Sequence, residues 1–154
     1  MSLEQELNLE RPMQDIQHEA LLSVIRTAGL LSLKGADLFR EFGLTEAQFN
    51  VLFSLKYKET AWTQSDLGKR LVVTRASVTS VLDKLEDKGL VARQVVEGNR
   101  RIYHIDLTPA GKKLIDQVEP LYRKDIQTVM GDLDSKACES LVKSLEKVRA
   151  RCTR

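Results

Sequence analysis

The chain is poor in the residues on which enzymes and secreted scaffolds most depend. Only two cysteines, Cys138 and Cys152, occur in 154 residues. That is too few for a disulfide framework, so a reducing, cytoplasmic setting is expected. Histidines also number two, His18 and His104, and they lie far apart. Two distant histidines and two distant thiols do not make a metal site. The patterns HExxH, CxxC, GxSxG, GxxxxGK[ST] and GxGxxG are all absent, so neither a cofactor nor catalysis is expected. Long apolar runs are missing as well. The longest such stretch, LLSVIRTAGLLSL at 21–33, is broken by Arg26 and is too short to cross a bilayer. A basic segment followed by an apolar one does not open the chain, so no signal peptide is indicated and no membrane partner is expected.

What is present is the composition of a folded, water-facing domain, 42% hydrophobic and 30% charged. The net charge of +2 hides an uneven distribution. Residues 1–61 carry six Lys/Arg against nine Asp/Glu, whereas residues 69–101 carry eight against four. The middle of the chain is thus the electropositive part, a modest footprint for a nucleic-acid partner.

Three zones follow one another. Residues 1–12 are acidic, end at Pro12 and are expected to fray. From Met13 to about Phe42, apolar residues at 16, 20, 21, 24, 28 and 31 recur at helical spacing over a wide stripe. The centre is then closely punctuated. Thr45 and Gln48 form a capping box for a helix that should bury Phe49, Leu52, Phe53 and Leu55 and end near Tyr57. Thr63 caps a short helix with Leu67 and Leu71 facing inward, and Thr74 caps the next. Gly89 closes that third helix, and LVARQVV and IYHIDLT read as strands around EGNRR, with Gly98 and Asn99 at the hairpin turn. Helix, turn, helix and a hairpin with a basic loop is the order of a winged helix-turn-helix. Thr108 and Pro109 start another helix, which Pro120 is expected to kink. Asp134 caps the last one, striped by Leu141, Leu145 and Val148.

This reading divides the chain into an N-terminal arm and dimerisation helix (1–42), a winged helix-turn-helix module (43–108) and C-terminal dimerisation helices (109–154). The fold class is mainly α with a small β-hairpin wing. A winged helix does not need the flanking helices in order to fold. Their stripes must therefore bury against each other and against a second copy of the chain, making a homodimer.

Residues 72–93, VVTRASVTSVLDKLEDKGLVAR, carry the strongest functional signal. Val78, Val81, Leu82 and Leu85 share one side of the helix. Ala76, Thr79, Ser80, Asp83 and Lys84 share the other, flanked by Arg75 and Ser77. A face kept small fits closely against a partner, and in a helix-turn-helix the second helix enters the major groove of double-stranded DNA by its N-terminal residues. Small hydroxyls can bond bases or phosphates, and a methyl can meet a thymine methyl. Arg75 suits a bidentate contact with guanine, although a phosphate or solvent contact would also satisfy it. Arg100 and Arg101 on the wing suit a narrow minor groove. Neighbouring strand residues point oppositely, so one of the two should reach DNA while the other pairs with Glu97 or Asp83. The candidate DNA-contacting set is therefore Thr74, Arg75, Ala76, Ser77, Thr79, Ser80 and Lys84 on the recognition helix, with Thr63, Gln64, Arg100 and Arg101 for the backbone and the wing.

The stretches GLTEAQFNVLFSL, TQSDLGKRLVVTRASVTSVLDKLEDKGLVAR and NRRIYHIDLTPAGKKLI, covering about residues 43–115, resemble the MarR (multiple antibiotic resistance regulator) family. The resemblance implies a homodimeric transcription regulator on pseudo-palindromic operators, usually a repressor released by a small molecule or by thiol oxidation. One departure stands out, Asn99 where the family usually has an aspartate before its arginine pair. The resemblance also implies a ligand crevice between the dimer helices and the winged module. His18, Leu22, Phe42, Phe53, Trp62 and Tyr122 are candidates to line it, each of which could equally be a core residue. Two other readings stay open. One is thiol sensing through Cys138 or Cys152, whose basic neighbours Lys136 and Arg151 would lower a thiol pKa. The other is an architectural or protein-docking winged helix without ligand control. The small-residue face beside Arg75 argues against that last reading, since non-specific binders gain more from Lys and Arg.

Overall fold

The computed structural model describes residues 3–71, 75–96 and 99–152, without the side chains of residues 75–77, 96 and 99–101. It divides into two compact units, Met1–Val118 and Glu119–Arg154. The element order is α1 (Leu3–Glu6), α2 (Ile16–Glu41), α3 (Glu46–Lys56), β1 (Trp62–Thr63), α4 (Gln64–Arg70), α5 (Arg75–Asp87), β2 (Val91–Val96), β3 (Asn99–Leu107), α6 (Pro109–Met130) and α7 (Ser135–Cys152).

The expected fraying of residues 1–12 is corrected at one point, because Leu3–Glu6 forms a short helical turn. Two side chains hold it. The Glu4 carboxylate accepts the Met13 amide at 2.8 Å, and Glu6 pairs with Arg26 at 3.3 Å. The long helix starts at Ile16, not Met13, because the Asp15 carboxylate accepts the Gln17 amide and caps it there. Of the 26 residues of α2 only Phe39 is buried, stacked on Phe49 of α3 with ring centroids 4.2 Å apart.

The capping box of α3 forms as the sequence requires, with Thr45 Oγ1 accepting the Gln48 amide and Gln48 Oε1 accepting that of Thr45. Phe49, Leu52 and Leu55 are buried, together with Val51, which the periodicity had not singled out. Phe53 is only half-buried, as one of a row of rings from Phe49 (centroids 5.5 Å) to Tyr57 (5.1 Å). Leu71, expected to face inward, is likewise half-buried at the C-cap of α4, whereas Leu67 is fully enclosed.

The sheet has the order β1-β3-β2, all antiparallel. Trp62 pairs with Ile105 and Thr63 with His104. Sequence reading missed β1, a strand of two residues whose partner lies some forty positions away. On the other side of β3, Val91 pairs with Leu107 and Val96 with Asn99, with an irregularity between Val95 and Val96. Asn99, expected at the hairpin turn, is the first residue of β3, and Gly98, expected beside it, lies outside the described residues.

Glycine is required at two junctions. Gly89 has φ +66, and the bonds Gly89 N–H to Glu86 O and Leu90 N–H to Leu85 O close α5. Gly111 lies in the first turn of α6, where an added Cβ would come within 2.0 Å of Leu90 O. Thr108 joins the two sites: its hydroxyl donates to Gly89 O at 2.6 Å and accepts the Gly111 amide at 3.0 Å. The start of α6 is thereby pinned against the end of α5, and Ile115 and Val118 enter the core of the first unit.

Pro120 lies inside α6, and the helix continues on both sides of it to Met130. In the second unit Asp134 caps α7 by accepting the Ala137 amide at 2.8 Å, and no residue of α7 is buried.

Candidate nucleic-acid interface

The candidate surface is built on α4 and α5. Thr63 opens α4 with a full capping box. Its hydroxyl donates to Asp66 Oδ2 at 2.7 Å and accepts the Asp66 amide at 3.3 Å, while its own amide donates to Asp66 Oδ2 at 2.9 Å. Hydrogen bonds from the Thr63 backbone and side chain hold the Asp66 carboxyl below its ordinary value. The Thr63 hydroxyl thus serves the cap. Gln64, the first residue of α4, is placed differently: its carboxamide Nε2 donates to Thr79 Oγ1 on α5 at the protein surface.

The two sides of α5 separate as the periodicity requires. Val78, Leu82 and Leu85 are at most 1% exposed, and Val81 is half-buried at their border. Thr79, Ser80, Asp83 and Lys84 are exposed. Arg75, Ala76 and Ser77 form the first turn of the helix, and Thr74, read as its cap, lies outside the described residues. Arg100 and Arg101 are the second and third residues of β3.

Sequence reading missed the group that ties the wing to the helix. Arg93 of β2 places NH2 on Asp83 and NH1 on Glu86, each at 2.5 Å, and donates its backbone amide to Glu86 Oε1 at 3.2 Å. Burial alone would lower the Arg93 pKa. Hydrogen bonds and charge from Asp83 and Glu86 outweigh it and hold the guanidinium above its ordinary value. Asp83, a sequence-based candidate partner for a wing arginine, engages Arg93 at the base of the wing; Glu97 and the side chains of Arg100 and Arg101 lie outside the described part of the structure. The available signal was an acidic pair three residues apart, hence one helical turn, followed by an arginine in the next strand.

A second unforeseen cation, just past the C-terminal end of α5, holds that end from another side. Lys88 Nζ donates to Gly43 O at 2.5 Å and to the buried Gln48 Oε1 at 3.2 Å. It links the end of α5 to the turn between α2 and α3.

The candidate ligand residues are dispersed. His18 is exposed on α2, and Leu22, Phe42 and Phe53 are half-buried. Trp62 is 8% exposed and is covered by Arg70, whose guanidinium carbon lies 4.0 Å from the ring centroid. Trp62 also borders a cleft of about 450 Å³ with Thr60, Ala61, Asp66, Lys69 and Arg70. Tyr122 belongs to the second unit. Cys138 is half-buried and Cys152 exposed, both on α7. At 1.5 Å per residue their fourteen-residue spacing is roughly 21 Å, far beyond the reach of a disulfide within one chain. Among the described residues no group of His, Cys, Asp and Glu is arranged to hold a metal, and no helix is long and apolar enough to cross a membrane.

With this geometry in hand, the similarities to known proteins fall on the same elements. The MarR family model matches residues 44–103, from the turn before α3 into β3. The HTH-type transcriptional regulator PecS of Dickeya dadantii is 30% identical over 112 residues, 71% of this chain and 68% of that protein. Among solved structures, the S. aureus MepR–DNA complex has a TM-score of 0.78 at 25% identity, covering 90% of this chain and 100% of that one. Bordetella bronchiseptica BpsR, whose DNA binding is regulated by 6-hydroxynicotinic acid, has a TM-score of 0.69 at 25% identity, covering 84% and 98%.

Proposed function

Because this chain belongs to the MarR family and is a DNA-binding transcription regulator, we propose that it acts in the cytoplasm as a homodimeric repressor of pseudo-palindromic operators, released by a small aromatic or phenolic ligand. The observation that carries the DNA reading is the division of α5. One side is sealed into the core by Val78, Leu82 and Leu85, while the other presents Thr79, Ser80 and Lys84 to solvent. Small hydroxyl side chains let a helix approach base edges in a major groove, and Lys84 suits a phosphate. Thr74, Arg75, Ala76 and Ser77 complete the recognition set. Arg75 is proposed to meet a guanine, and Arg100 or Arg101 a minor groove.

Dimerisation is supported by α2, where Ile16, Ile25 and Leu33 are 73%, 59% and 68% exposed. A helix with that much uncovered apolar surface calls for a second copy, and two-fold symmetry would set two recognition helices about one helical turn of DNA apart. The ligand class is supported by the heteroaromatic acid that regulates BpsR and by the partly open, half-buried side chains Leu22, Phe42 and Phe53, with His18 as a polar contact. A ligand that favours a wrongly spaced conformer weakens DNA binding by the same factor by which DNA weakens the ligand.

Selection of duplexes from a random pool by the purified protein, at near-physiological salt with competitor DNA, tests the reading. An inverted repeat with half-site centres about ten base pairs apart is expected. No enriched motif would overturn it in favour of a docking or architectural winged helix.

A further inference from the structure

We propose that Gln64 is a positioning residue for base readout, coupling the first helix of the reading surface to Thr79 of the second. This inference rests on the DNA-binding reading above and adds to it a definite relation between two side chains. The observation is the hydrogen bond from Gln64 Nε2 to Thr79 Oγ1, fifteen residues apart in sequence, between α4 and α5.

Both residues are placed by independent means. Gln64 is the first residue of α4, which the Thr63–Asp66 capping box fixes in direction. Thr79 stands one position beyond Val78, which is buried at 1% exposure and so fixes the rotation of α5. Thr79 is itself exposed, on the side of α5 opposite the core. Two rigid elements therefore bring a carboxamide to the hydroxyl that is best placed to meet a base.

The chemistry follows from the inventory of the two groups. A carboxamide has two N–H donors and an oxygen acceptor, and the bond to Thr79 uses one donor. The second N–H can donate to a backbone phosphate, the contact suited to a residue on the flank of the groove. A phosphate held in this way fixes the carboxamide, and the carboxamide fixes the Thr79 side chain. A threonine side chain has one strongly restricted torsion, so fixing its oxygen also fixes where its methyl points. Oxygen and methyl then present one defined edge to a base pair, and a methyl directed at a thymine methyl discriminates without any further hydrogen bond. Thr79 supplies the contact and Gln64 holds it in that orientation from the neighbouring helix.

The test is a double-mutant cycle on the duplex that the wild-type protein selects, with Gln64→Ala, Thr79→Ala and the double variant, and with Gln64→Met as a control for side-chain size. Each single variant is expected to weaken binding roughly tenfold, the scale of one lost specific contact. The double variant is expected to be no weaker than the worse single one. Gln64→Met should behave like Gln64→Ala. In a repeated selection, Gln64→Ala should relax the base preference at the same half-site position as Thr79→Ala, a change that a merely structural role for Gln64 would not produce. Thermal unfolding of each variant verifies that the fold is retained. Multiplicative losses in the cycle, or a base profile unchanged by Gln64→Ala, would overturn the coupling and leave the regulator reading standing. Failure of the wild-type protein to select any duplex would overturn both.

Discussion

The winged module and the helices α2 and α7 treat their apolar side chains in opposite ways. From α3 to β3, Leu52, Leu67, Leu82, Leu85 and Ile105 are fully enclosed, drawn from α3, α4, α5 and β3. In α2, by contrast, 26 residues supply one buried side chain, and α7 supplies none. The first region completes its own core. The second presents apolar residues at helical spacing that stay exposed, and the proposed homodimer would cover them. One chain thus holds a finished reader and an unfinished support, and in the proposed dimer that division would allow the spacing of two readers to be altered without unfolding either.

The largest expected effect comes from attacking the unfinished part. Ile25→Asp places a charge on the exposed stripe of α2, and symmetry applies the change twice. With about 1.5–3 kcal/mol per apolar side chain, the dissociation constant of the dimer should rise at least a hundredfold, measured by sedimentation velocity. The helical circular dichroism of the winged module should persist, and an unchanged dimer would remove α2 from the interface. Leu82→Ala attacks the finished part. It should cost about 2–5 kcal/mol in urea unfolding, since the enclosed site cannot easily collapse. A smaller loss would mean that the α5 core is loose.

Arg93→Ala lies between these. The guanidinium is about one-fifth exposed and its two carboxylate partners about half. The loss should be about 1–2 kcal/mol after allowance for solvent screening. DNA affinity should fall with the loosened wing while dimerisation is unaffected, and a change in dimerisation would show that the two regions are not separate. The smallest effect is a pH dependence. Asp66 has a lowered pKa in the folded protein, so its contribution is fully present above its ordinary value of 3.8 and is lost as pH falls through the depressed value. Asp66→Asn should therefore flatten the acid limb of the stability profile below about pH 4, and an unchanged limb would assign that loss to other carboxylates.

Local chemistry was legible in the sequence, and distant pairing was not. Thr45 with Gln48, Thr63 and Gly89 announce helix ends within a few residues, and all three act where the sequence places them. The core side of α5 was readable because one helical period contains it. The strand Trp62–Thr63 was hidden, since two residues carry no alternation and the partner Ile105 lies far along the chain. The same holds for Arg93 on Asp83 and Glu86, for Lys88 on Gly43 and Gln48, and for Gln64 on Thr79. Each is a bond between elements, which periodicity cannot register. The MarR resemblance anticipated the order of elements, though not these ties.

The division between a finished reader and an unfinished support is tested most directly by sedimentation of the chain alone and with its selected duplex. A free species of twice the 17.4 kDa chain mass, binding one duplex with two chains at every mixing ratio, is the expected result. A free monomer that loads the duplex one chain at a time would contradict it.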